Sequence, residues 1–180
     1  GGAGKVHDHA AQAVQAASAG VGVAGLPCDA VHRDRKGIVM PMLVAGQPDA
    51  PYALRAALRG KTFQLPLAID VEDARLRTLS PAALAQRVAQ AAAQLEAWNL
   101  YAMVYTYTNF ADTALAMDAL TAYDLWLADY RGKRPTRPHG MWQYTSRGRV
   151  PGISGPVDLS RTEKDYPALL HRAGLDRTIL

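Results

Sequence analysis

Leu65-Pro66-Leu67-Ala68-Ile69-Asp70-Val71-Glu72-Asp73 is the stretch on which the reading of this chain turns. A mostly apolar run ends in three carboxylates interrupted by one valine, the pattern of a buried strand whose C-terminal end opens into a polar site. Alternate side chains of an extended chain point the same way, so Asp70 and Glu72 share one side while Val71 takes the other. Two acids placed so do not both ionise freely at neutral pH, because each charge disfavours the other and apolar surroundings penalise both. One of them is expected to keep its proton longer. A protonated acid beside an ionised one is equipped to protonate a leaving oxygen, as in glycoside hydrolysis. The structural alternative is that Asp70 or Asp73 caps a following helix or begins a turn.

Outward from that strand, helix and strand patterns alternate. Ser80-Pro81 is a helix entry, with a capping hydroxyl and a proline at the first helical position, and Leu84, Val88, Ala91, Ala92 and Leu95 carry the apolar rhythm to about Trp98. Residues 100–107 read as a strand, Thr108 or Asn109 as the cap of a helix through Ala119, and residues 125–128 as another strand. Residues 141–145 and 155–159 read as two short final strands, with a closing helix from Thr162 to Arg172. Upstream, Val6 to Ala19 reads as a helix stopped by Gly20, Val21 to Leu26 as a short strand, Ile38 to Val44 as an irregular or edge strand because of Pro41, and Tyr52 to Arg59 as a helix stopped by Gly60. This order predicts βαβ units, a mainly parallel sheet and an α/β barrel, open or closed, with its chemistry at the C-terminal ends of the strands. Residues 1–180 are expected to form a single domain.

Composition narrows the classes of function. The 49% hydrophobic and 20% charged residues are ordinary for a chain with a sizeable core, which argues against disorder. The net charge of +4 is scattered apart from Arg33 to Lys36 and Arg131 to Arg137. These runs read as solvated faces or as contacts with an anionic polymer, and no nucleic-acid partner is expected. Cys28 is the only cysteine, so no intramolecular disulfide or cysteine-based zinc site can be assembled. His7-Asp8-His9 invites a metal reading, but residues two apart do not share a helix face, and neither a metal nor an organic cofactor is expected. There is no apolar run long enough to span a membrane, and Gly1-Gly2-Ala3-Gly4-Lys5 lacks a signal-peptide core.

Several strand ends carry groups suited to carbohydrate: Tyr105 and Tyr107, Trp126 with Asp129 and Tyr130, Trp142 with Gln143 and Tyr144, and Asp158. Aromatic faces stack on sugar C–H surfaces while amide, hydroxyl and carboxylate groups bond the hydroxyls; each ring taken singly is equally suited to a core. Pro66 to Glu72 (PLAIDVE), Val104 to Thr108 (VYTYT), Leu125 to Tyr130 (LWLADY) and above all Trp142 to Leu159 (WQYTSRGRVPGISGPVDL) resemble the family 25 glycoside hydrolases, the muramidases of bacterial and phage lysozyme type.

The resemblance implies an irregular TIM-like (β/α) barrel, possibly open or incomplete at its N-terminal side. It implies cleavage of the β-1,4 bond between N-acetylmuramic acid and N-acetylglucosamine in peptidoglycan, in an extracellular, periplasmic or phage-associated setting. Glu72 is implied as proton donor, with Asp70 and Asp158 in the acidic groove around it, and a retaining route in which the substrate's acetamido group acts as nucleophile. Two family features have no counterpart here. The usual N-terminal strand with its active-site aspartate is not found, and Leu26-Pro27-Cys28 stands where an aromatic-histidine pair is usual. A barrel edge left bare in this way is unfavourable, which points to a truncated or fragmentary chain or to an open barrel covered by a partner or by its own N-terminal residues. It also opens the alternative of a weakened or inactive relative that binds the wall or serves a virion structurally.

Overall fold

The computed structural model describes residues 54–56 and 58–176. Among them, five strands form one sheet in sequence order: β1 (Leu67–Asp70), β2 (Ala102–Tyr107), β3 (Asp124–Ala128), β4 (Met141–Gly148) and β5 (Val157–Thr162). β1 to β4 run parallel, and β5 returns antiparallel to β4. With helices α1 (Pro81–Glu96), α2 (Thr108–Thr113) and α3 (Tyr166–Ala173), this is a mixed α/β half-barrel, the expected open TIM-like form. The expected helix of residues 6–19, the strands of residues 21–26 and 38–44, His7-Asp8-His9 and the N-terminal barrel edge lie outside the described residues.

The period-two pattern sorts the sheet into two faces. Leu67, Ile69 and Val71 of the first strand and its extension, Val104 of β2, and Leu125 and Leu127 of β3 pack with Leu84, Val88, Ala92 and Leu95 of α1. Burying such a face contributes about 1.5–3 kcal/mol for each large apolar side chain. α1 begins as its sequence requires, with Ser80 Oγ accepting from the Ala83 amide at 3.2 Å and Pro81 in the first turn. It is followed by Asn99 at φ 63°, a left-handed position that asparagine tolerates. The opposite face carries Ala68, Met103, Tyr105, Ala128 and Met141, and Tyr166 and Leu170 of α3 pack against it.

Two helix boundaries differ from expectation. α2 stops at Thr113, a separate 3-10 turn covers Met117–Leu120, and neither Thr108 nor Asn109 caps the helix, whose N-cap is Tyr107 without a side-chain bond. The Thr108 hydroxyl instead donates to Asp129 Oδ2 at 2.8 Å, and the Thr113 hydroxyl bonds back to the Asn109 carbonyl at 2.7 Å. The closing helix starts at Tyr166 rather than Thr162 because Thr162 is the last residue of β5, paired with Met141, while Asp165 caps α3 through the Ala168 amide at 3.1 Å.

Gly140 marks the tightest approach at the N-terminal end of the sheet. A Cβ there would lie 1.9 Å from Tyr166 Oη and 3.2 Å from Asp124 Cγ, and Tyr166 is fully buried. Gly140→Ala is therefore expected to destabilise by about 1–3 kcal/mol through overpacking. Urea unfolding checks this as a lower midpoint at unchanged slope.

Candidate active site

Sheet register places the sequence-predicted residues in two rows. Asp70 lies beside Tyr105 and Tyr105 beside Trp126. One step further along, Tyr107 lies beside Ala128, Ala128 beside Gln143 and Gln143 beside Ser160. Both rows belong to the face opposite α1, toward the C-terminal ends of the parallel strands. Loops leave the sheet there, and chemistry in such barrels is built at that end.

Tyr105 is the centre of the first row. Its ring is fully buried and meets Trp126 edge to face, with centroids 5.0 Å apart and planes at 71°. Trp126 Nε1 donates to Ser160 Oγ at 3.1 Å, tying β3 to β5 across the sheet. The Tyr105 phenol is pushed far above its ordinary range, first by burial and then by its electrostatic interactions with Glu72, Tyr130, Asp70 and Asp158. Such forces fall off with distance, so one hydroxyl senses Asp70, Glu72 and Asp158 together although they come from opposite ends of the sheet. Tyr105 thus remains a neutral O–H donor among acids.

The end of β1 is pinned from β2. The Val71 amide donates to the Tyr105 carbonyl at 2.9 Å, and Thr106 Oγ1 donates to the Val71 carbonyl at 2.6 Å. The peptide between Asp70 and Glu72 is thereby held at both of its polar groups. Asp73 takes the capping alternative, accepting from the Arg75 amide at 2.8 Å and from its guanidinium at 2.5 Å. Of the three carboxylates, Asp73 is thereby engaged by its own turn.

The matching family is the one described as glycosyl hydrolases family 25, whose sequence model covers residues 42–153. The chain belongs to this family. The chain is also similar to YegX, an uncharacterized protein of Escherichia coli K12, 35% identical over 100 residues that make up 53% of this chain and 35% of YegX. The YegX of strain O157:H7 is 33% identical over 132 residues, or 67% of this chain and 47% of that protein. The family 25 chain therefore spans between about a third and a half of the length of these curated relatives. Among solved structures, the Clostridium perfringens spore cortex lytic enzyme SleM shares the fold at TM-score 0.57 and 21% identity, over 66% of this chain and 45% of its own. The bacterial lysozyme of Streptomyces coelicolor does so at TM-score 0.57 and 23% identity, covering 71% and 68%. The catalytic domain of endolysin ply40 from bacteriophage P40 of Listeria monocytogenes follows at 0.55 and 24%, covering 88% and 78%.

In the family 25 chain, Asp70, Glu72, Asp158, Tyr105 and Tyr130 are brought together, and Trp126 and Gln143 lie on the same face. Tyr130 is half exposed, the one large hydrophobic residue so open among those described. Gln143 is fully buried, and neither its Oε1 nor its Nε2 has a hydrogen-bond partner among the described residues. Tyr107 sits beside Phe110, their centroids 5.7 Å apart, and its hydroxyl receives a long 3.5 Å bond from Arg77. Two other residues are engaged elsewhere. Trp142 is buried against Tyr144 and donates from Nε1 to the Asp129 carbonyl at 2.8 Å. The Asp129 carboxylate is held by the Arg131 guanidinium and by Thr108.

Sequence reading passed over Thr106, Ser160 and Arg131. Ser160 stands two residues beyond Asp158 on β5, so period-two alternation along the strand could have pointed to it. Arg131 looked like part of a solvated basic run, yet its hydrogen bond, with Thr108 and its own charge assisting, draws Asp129 down to about pKa 2 against the opposing effect of burial. A depressed carboxyl stabilises the fold above its unfolded value of 3.8 and loses that contribution as pH falls toward about 2. The contribution is on the order of 1–2 kcal/mol after allowing for the exposed arginine. Urea titrations of Asp129→Asn and the parent should differ at pH 6 and converge by pH 2.

Proposed function

We propose that this chain hydrolyses the β-1,4 bond between N-acetylmuramic acid and N-acetylglucosamine in peptidoglycan. Glycan strands of the wall are its ligand, and its place of action is outside the cytoplasm or in phage-driven lysis. The likeness to a spore cortex lytic enzyme, a bacterial lysozyme and an endolysin catalytic domain supports that reading. The single observation that carries it is the gathering of Asp70, Glu72 and Asp158 around the buried Tyr105 hydroxyl, at the C-terminal end of a family 25 half-barrel.

Glu72 protonates the glycosidic oxygen as the bond breaks and later takes the proton from the attacking water. The substrate's own acetamido oxygen attacks from the opposite side, so the configuration is retained, and Asp70 orients that group and balances the charge it develops. Asp158 closes the acidic wall opposite Glu72. Trp126 and Tyr130 present rings to the sugar, and the Tyr105 hydroxyl supplies a neutral donor that does not compete for Glu72's proton.

Incubation with purified peptidoglycan tests the reading. Soluble fragments with new reducing ends on muramic acid are expected. Sedimentation with the wall and no reducing ends would replace hydrolysis by wall binding alone. Reducing ends on glucosamine would overturn the choice of bond.

A further inference from the structure

Arg77 stands five residues beyond Glu72, in the 3-10 turn of Ala74–Thr78 that follows β1. Arg75, Arg131, Arg134 and Arg137 are each paired with a carboxylate. Arg77 is held differently. Its Nη1 donates to Thr113 Oγ1 at 2.9 Å, and its Nη2 to Asn109 Oδ1 at 3.2 Å and to Tyr107 Oη at 3.5 Å. Its guanidinium also lies 4.6 Å from the centroid of the buried Phe110 ring, which meets Tyr107 edge to face. One exposed side chain thus joins the turn after Glu72 to the end of β2 and to α2, and its hydrogen-bond acceptors among the described residues are all neutral.

The place of that joint gives it a bearing on Glu72. The parallel register that sets Asp70 beside Tyr105 continues at Val71, whose amide bonds to Tyr105 and whose carbonyl bonds to Thr106. The next step brings Glu72 level with Tyr107, and alternation puts both on the face of Asp70 and Tyr105. Past Glu72 the chain leaves the sheet. Asp73 fixes the start of the turn by its cap, Leu76 buries its middle, and Arg77 fixes its end on the residue beside the acid. A guanidinium only donates, so the Tyr107 oxygen accepts from it and keeps its own proton for another acceptor. The contact that ties down the turn therefore also orients Tyr107 as a donor.

We propose that Arg77 is a positioning residue for the acid: its fork holds the Glu72 segment against Tyr107 and α2, so that the carboxyl stands at one fixed place beyond the end of β2. The proposal deepens the muramidase reading and rests on it for the role of Glu72. A planar fork sets distance and angle together, which the single ammonium of a lysine cannot do. Misplacing a reacting group by about 1 Å costs on the order of 10²-fold in rate.

Steady-state release of reducing ends from peptidoglycan by Arg77→Met tests the proposal; methionine keeps a stem over Phe110 and removes the fork. The expected result is a kcat about 10- to 100-fold lower with KM within about twofold of the parent. Arg77→Lys, which retains the charge, should recover little of the loss. Because Arg77 acts through Glu72, Arg77→Met should add nothing in a Glu72→Gln background, whereas general loosening of the fold would lower the residual rate there as well. Equal loss in both backgrounds, or a kcat equal to the parent's, overturns the proposal. Should Arg77→Met fail to fold, Asn109→Ala with Thr113→Val removes two of the acceptors from the other side and is held to the same outcomes. Amide hydrogen exchange needs no turnover: loss of the fork should speed exchange at the Leu76 and Leu79 amides, which bond to the Asp73 and Leu76 carbonyls, and leave β1 protected. A parent that releases no reducing ends removes the muramidase reading, with the staple still decided by exchange. Unchanged exchange at Leu76 and Leu79 removes the staple and leaves the muramidase reading standing.

Discussion

Glu72→Gln should lower the release of reducing ends from peptidoglycan by about 10²- to 10⁴-fold, the usual contribution of a positioned general acid. Glutamine keeps the length and shape of the side chain but has no proton to give to the leaving oxygen. The surrounding backbone does not depend on the carboxylate, since the peptide at Val71 is held by Thr106 Oγ1 and by the Tyr105 carbonyl. The unfolding midpoint is accordingly expected to stay within the range of ordinary surface changes, and sedimentation with the wall should persist. Parent and variant releasing reducing ends at the same rate would remove Glu72 from the mechanism. Asp70→Asn should lose less, because it keeps a side chain that can orient the acetamido group while giving up the balancing charge.

The largest effect on stability should come from Asp124→Ala, at the opposite end of the same face. Asp124 accepts from Tyr101 Oη and Tyr166 Oη, each at 2.9 Å, and from Lys164 Nζ at 2.6 Å. Truncation leaves the buried Tyr166 hydroxyl and the partly buried Tyr101 hydroxyl without their acceptor, whereas Lys164, 43% exposed, returns to water. A loss of about 3 kcal/mol follows, or roughly 6–12 °C in thermal midpoint for a chain of this size. Asp124→Asn keeps one acceptor oxygen and should lose distinctly less.

Burial alone would raise the Asp124 carboxyl, but its bonds from Lys164, Tyr101 and Tyr166 bring it below its ordinary value. Its contribution is therefore in place well above the ordinary carboxyl value of 3.8 and fades as pH falls through the lowered one. Asp124→Asn should flatten the acid limb of the stability profile. The same cluster pushes Tyr101 up to about 12, through burial first and then Asp124. Equal acid sensitivity in parent and variant would contradict this account.

The two acidic ends of one face show what could be read early. Asp70 and Glu72 announced themselves because an apolar strand ending in acids is a local pattern. Asp124 did not, since nothing in its neighbourhood along the chain foretells that Tyr101 and Tyr166 converge on it. Asp129 and Trp142 looked alike to Tyr105 and Trp126 at strand ends, but Arg131 and Thr108 hold the Asp129 carboxylate and the Asp129 carbonyl takes the Trp142 ring N–H. The start of α2 departs from its local pattern for the same reason, as the Thr108 hydroxyl serves Asp129 rather than its own helix.

By itself the amino-acid sequence determined the strand that ends in Asp70, the helix begun by Ser80-Pro81, the succession of parallel units and the family to which they belong. Those properties follow from repeat distances within a few residues, which backbone geometry imposes wherever the chain lies. Only the tertiary structure decided which acids meet. That outcome depends on the register of Asp70 against Tyr105 and on β5 carrying Asp158 back across the sheet, and pairing between distant segments is selected by the packing of whole faces.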